Sequence, residues 1–82
     1  MDSLQMHHDI RNNIREIILN KEDDNEQICI KLNDYLEQFL STKSRGILRT
    51  ILTTLKPIRK IKGFDVIYEK YFNLFQDLGG TN

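Results

Sequence analysis

The 82-residue chain has no tryptophan, one proline and one cysteine. A lone cysteine, Cys29, excludes an intrachain disulfide and a zinc site closed by cysteines, and it suits a reducing compartment. Long hydrophobic runs are also missing. The longest aliphatic one, Ile17-Ile18-Leu19, is far short of the roughly 20 apolar residues that cross a bilayer. Met1-Asp2-Ser3-Leu4 has no basic region and leads into no stretch like the roughly 7–15 apolar residues of a secretory signal. A cytoplasmic location is therefore expected, with any membrane association made from the inside. No segment alternates polar and apolar residues for long enough to be a half-buried strand.

The most informative absence is of acidic residues between Ser41 and Phe64. That stretch holds Lys43, Arg45, Arg49, Lys56, Arg59, Lys60 and Lys62, while the chain before it carries −5 and the chain after it −2. A formal net charge of zero thus hides a segregated molecule. The same stretch is apolar at helical spacing, through Ile47, Leu48, Ile51, Leu52, Leu55 and Ile58. It reads as a helix that buries one face and turns a cationic face toward something anionic.

Helical periodicity runs through the whole chain. Ile10, Ile14, Ile17 and Ile18, with Leu4 as an earlier member, form a first stripe that ends at Asn20. Asp24 or Asn25 suits the next N-cap, and Asp24 with Gln27 has capping-box spacing. Ile28, Leu32, Tyr35, Leu36, Phe39 and Leu40 form the second stripe. A third helix is expected from about Ser44 to Ile61, with Pro57 either kinking it or ending it near Lys56 and Gly63 as its stop. Phe64, Ile67, Tyr71, Leu74 and Leu78 mark a fourth, widened by Tyr68, Phe72 and Phe75 and closed by Gly79-Gly80. Loops this short make successive helices antiparallel neighbours. The expectation is one all-α domain spanning 1–82, an antiparallel four-helix bundle with up-down-up-down order. Its core is assigned to Ile14, Ile17, Leu32, Leu36, Phe39, Ile51, Leu52, Leu55, Tyr71, Leu74, Phe75 and Leu78.

Nothing in the chain speaks for catalysis. His7 and His8 project about 100° apart on a helix and cannot share a metal as an i,i+4 pair does. Cys29 between Ile28 and Ile30 reads as a small hydrophobe without an activating base. Glu22-Asp23-Asp24-Glu26 lacks the alternating ligands and central glycine of a calcium loop. No glycine-rich phosphate cradle or catalytic triad is present. Neither an enzyme, a small-molecule substrate, a cofactor nor a metal is expected.

The basic segment carries the functional reading. Its bland interpretation is a solvated face near the acidic second helix. A DNA-binding or regulatory module using Arg45 and Arg49 is the alternative, disfavoured because nucleic-acid modules are usually strongly basic overall. Lys56-Pro57-Ile58-Arg59-Lys60-Ile61-Lys62 interleaves charge with isoleucine, as suits an acidic protein loop or transient contact with an anionic membrane surface. Exposed aromatics beside such a turn have the composition of a protein–protein hot spot. The expected contact residues are Lys56, Arg59, Lys60, Lys62, Tyr68 and Lys70.

From Ile14 to Gly80 the chain resembles the enterocin A-type immunity proteins, which protect lactic-acid bacteria and streptococci against class IIa (pediocin-like) bacteriocins. The segments that carry the resemblance are Arg15-Glu16-Ile17-Ile18-Leu19-Asn20, the Ile28/Leu32/Leu36 stripe, Ile47-Leu48-Arg49-Thr50-Ile51-Leu52-Thr53-Thr54-Leu55 with the basic turn, and Tyr68-Glu69-Lys70-Tyr71-Phe72-Asn73-Leu74-Phe75. It implies a cytosolic, non-enzymatic bundle of four antiparallel helices. Its partner would be the mannose phosphotransferase permease that the bacteriocin uses as receptor, engaged from inside with the bacteriocin bound. It also implies that the C-terminal half, here the cationic turn and the aromatic helix, selects which bacteriocin is countered.

Overall fold

A computed structural model describes residues 3–79. Four helices follow one another: α1 (Ser3–Ile18), α2 (Asn25–Leu36), α3 (Arg45–Leu55) and α4 (Phe64–Asp77). Short 3-10 turns, Glu37–Phe39 and Lys56–Ile58, follow α2 and α3. No strand occurs among the described residues. The protein is an all-α four-helix bundle.

Local chemistry sets the helix ends. Asp24 caps α2, its carboxylate accepting from the Gln27 amide at 2.9 Å, which satisfies one of the free N–H groups of the first turn. Ser44 does the same for α3, accepting from the Ile47 amide at 3.1 Å. Pro57 ends α3 rather than kinking it. A proline ring there crowds the carbonyl four residues earlier, and the chain tightens into the 3-10 turn after Leu55. Gly63 is correspondingly not the end of α3 but the residue before α4, at φ 97°. That φ is what calls for glycine, and a Cβ there would also crowd Cys29 Sγ at 3.1 Å. Gly79, at φ 85°, follows α4; Gly80, its expected companion, lies outside the described residues.

Side-chain contacts fix the helix directions. His7 of α1 bonds Thr50 of α3, and Arg11 shares a groove with Thr50, Thr53 and Thr54, so α1 and α3 run the same way. Arg45 covers Phe75, and Lys56 shares a groove with Tyr68, so α3 and α4 oppose. Cys29 faces Gly63 and Tyr71 bonds Leu36, so α2 and α4 run the same way. The up-down-up-down order follows. Around the axis, however, the well-packed pairs are α3 with α4, α1 with α3, α1 with α2, and α2 with α4. Successive helices are therefore neighbours at two of the three connections, while α2 and α3 lie on a diagonal. The stretch between them, residues 37–44 with its 3-10 turn, is long enough to cross the end of the bundle.

The core is Ile10 and Ile14 from α1, Ile28, Leu32 and Leu36 from α2, Leu48, Ile51, Leu52 and Leu55 from α3, and Phe64, Ile67 and Tyr71 from α4. Seven of the twelve expected core residues are in this set. Ile17, Phe39, Leu74, Phe75 and Leu78 are half-buried and pack against it. Their places are filled by members of the same stripes, Ile10, Ile28, Leu48, Phe64 and Ile67. Phe39 sits in the turn beyond α2, edge-on to Tyr35 with ring centroids 5.8 Å apart. Leu4 is 68% exposed and does not extend the first stripe into the core.

Tyr71 is fully buried, and its hydroxyl donates to the Leu36 carbonyl at 3.0 Å. That carbonyl also opens the 3-10 turn after α2, so the phenol occupies its second lone pair. Burial, and secondarily the Glu37 carboxylate, push the phenol up to about 12 from its ordinary 10. Tyr71→Phe is expected to cost about 0.5–1.5 kcal/mol, the net worth of one hydrogen bond, since the Leu36 carbonyl keeps its bond within the 3-10 turn. A raised pKa in the folded state means that the stabilisation is fully present below pH 10 and is lost as pH rises toward 12. Urea midpoints of the wild type and Tyr71→Phe should therefore differ at pH 8 and converge above pH 10. A constant gap across that range would show that the hydroxyl is not the source.

A cationic groove between α3 and α4

One side of α3 is buried, and the other makes a surface. Arg45, Arg49, Thr53 and Lys56 stand at i, i+4, i+8 and i+11, all exposed, so they form a single row along the outside of the helix. Thr50 and Thr54 lie beside the row and donate their hydroxyls to the carbonyls of Gly46 and Thr50, at 3.1 and 2.7 Å. Between this row and α4 lies an open groove of about 310 Å³. Arg45, Arg49, Thr53 and Lys56 line it from the α3 side, Leu52 contributes to its floor, and Tyr68 and Phe75 line it from α4. A smaller groove of about 160 Å³ on the α1 side is lined by Arg11, Arg49, Thr50, Thr53 and Thr54. Arg49 and Thr53 are the ridge between the two. Neither lining contains an acid.

The groove is partly preorganised. The Arg45 guanidinium lies 5.3 Å from the centroid of the Phe75 ring, a cation–π contact that holds the charge over the groove. Tyr68 stacks on Phe72, with centroids 6.3 Å apart and ring planes 12° from parallel. Among the described residues the only ion pair is Lys31 with Asp23, at 2.7 Å. The bases from Lys43 to Lys62 thus have no carboxylate partner among them.

The six expected contact residues divide. Lys56 and Tyr68 come together in the groove. Arg59 is half-buried, its Nη1 donating to the Lys56 carbonyl at 2.9 Å, which braces the turn. Lys60 and Lys62 are exposed on the same turn but do not line the groove. Lys70 Nζ sits 5.7 Å from the Tyr71 ring centroid. Two residues from Tyr68, it projects from a different side of α4. Arg45, Arg49 and Phe75 belong to the groove without having been assigned to the contact surface. The i, i+4, i+8, i+11 spacing of the α3 row is the signal that could have found the two arginines.

The other chemistry-bearing side chains are structurally occupied. His7 Nδ1 bonds the Thr50 hydroxyl, which ties α1 to α3, while His8 Nδ1 accepts from Arg11 Nη2 at 2.7 Å on the outside. The two rings diverge. Cys29 is half-buried with its thiol pushed up, first by burial and then by the Asp65 carboxylate, which is the opposite of an activated nucleophile. Asp65 itself accepts from the Gly63 amide at 3.0 Å and holds the entry to α4.

Fold and surface together describe a small helical bundle with acid-free cationic grooves on the two sides of the α3 row, the larger of them against α4. No family model, curated protein or solved structure matches the chain.

Proposed function

We propose that the chain is an immunity protein of the enterocin A type. It would protect its cell from a class IIa bacteriocin by non-catalytic binding at the cytosolic side of the mannose phosphotransferase receptor complex. The observation that carries the reading is the α3–α4 groove with its adjoining basic turn. It combines cations without a carboxylate partner among the described residues and half-buried aromatics, in the C-terminal half where the resemblance puts bacteriocin selection. No described helix is long and apolar enough to cross a membrane, and a cytosolic site of action agrees with that.

The test is expression in a class IIa-sensitive indicator strain followed by challenge with a panel of such bacteriocins. Survival against at least one member of the panel is expected, with sensitivity to unrelated pore-formers unchanged. Full sensitivity to every class IIa member, in cells shown to contain the folded protein, would refute the proposal.

A further inference from the structure

We propose that the α3–α4 groove receives an acidic amphipathic helix of a protein partner, its carboxylates meeting Arg45, Arg49 and Lys56 and its apolar side resting on Leu52 and Phe75. This rests on the reading that the chain acts by binding a protein, and it specifies the chemistry of the bound segment.

Charge complementarity and length select the occupant. The three cations span twelve residues of chain, about 16 Å at a helical rise, so a single phosphate or carboxylate ion would leave most of the row unneutralised. A helix laid along α3 presents acids at the same i, i+4 and i+11 intervals and meets all three at once. The floor decides the rest. Leu52 and Phe75 supply an apolar strip beside the charges, which a peptide helix fills with its own hydrophobic side.

Nucleic acid fits less well. Single strands bind by stacking bases on open aromatic rings, and here one face of Phe75 is taken by Arg45 and the Tyr68 ring stacks on Phe72. An anionic bilayer fits less well too. Its headgroups meet protruding apolar residues, and the exposed Leu19, Ile61 and Val66 are not among the groove's residues.

The probe is a labelled 16-residue peptide that forms an amphipathic helix, with Glu at matching intervals and Leu on the opposite edge of its contact face. Controls are the same residues in scrambled order, the helix with Lys for Glu, random duplex DNA and vesicles containing one-third anionic lipid. Fluorescence anisotropy at low salt should show saturable binding of the acidic helix, at least tenfold tighter than of either control peptide. Binding should fall at least tenfold in R45E/R49E, and also in Thr53→Trp, which fills the groove without altering charge. Amide chemical-shift changes should concentrate in residues 45–56 and 68–75. Equal binding of the scrambled peptide, unchanged affinity in both folded variants, or stronger binding to DNA or vesicles would each overturn the proposal. The two readings fail separately. Bacteriocin protection without peptide binding removes the acidic-helix chemistry alone, and peptide binding without protection removes only the immunity role.

Discussion

Leu55→Ala is expected to destabilise the bundle by about 2–5 kcal/mol, the range for emptying a packed leucine site. Leu55 is 1% exposed, at the end of α3 where the core is closed by the 3-10 turn that Pro57 imposes. A turn fixed by proline cannot slide inward to fill the void, so relaxation should be limited. Leu36→Ala should cost as much, because Leu36 is fully buried and its carbonyl is held by Tyr71. In a domain of this size each kcal/mol moves the melting temperature by about 4–8 °C. Either substitution should therefore lower it by roughly 10 °C or more, and total stabilities of about 5–15 kcal/mol leave little reserve. Leu19→Ala is the control, since Leu19 is 71% exposed, and its melting curve should barely move. Thermal unfolding followed by circular dichroism decides the matter. Unchanged curves for Leu55→Ala and Leu36→Ala would disprove this core.

Reversing charge in the groove should have the larger functional effect. Arg49→Glu with Lys56→Glu is expected to leave the melting temperature within a few degrees of wild type, because both side chains are exposed and have no ion-pair partner among the described residues. Surface substitutions of that kind usually change stability by about 0.5 kcal/mol or less. Protection in the indicator strain should nevertheless be abolished, since like charges facing an acidic partner repel where they formerly attracted. The companion variant is R59E/K60E, which leaves the groove lining intact and alters the turn. Loss of protection in both places the contact across groove and turn together. Loss in R59E/K60E alone moves it to the turn, and protection retained by both folded proteins removes this surface from the mechanism.

Much of the architecture was legible because it depends on local rules. Apolar spacing located all four helices, Asp24 and the loop at Asn20 bounded α1 and α2, and Pro57 left two outcomes of which one occurs. What the periodicity could not convey was arrangement around the bundle axis. Stripes say which side of a helix is buried but not which partner covers it, so the diagonal relation of α2 and α3 had no signature in spacing. Core membership failed at the same level. Phe75 widens the apolar stripe, yet it falls where α4 faces the open groove, and Leu78 lies past the end of α4, half-buried against the core. The groove was half visible. Lys56 and Tyr68 were chosen for composition near the turn, whereas the row from Arg45 to Lys56 becomes a single surface only once α4 is laid beside it.

The diagonal placement of α2 and α3 has a consequence for how the molecule meets anything charged. Acids concentrated toward one corner and bases toward the opposite one make a neutral body with a permanent electric moment. Beyond about 8 Å, the physiological screening length, such a body feels little pull. Within that distance it experiences a torque that swings α3 forward, so the field governs the angle of an encounter far more than its frequency.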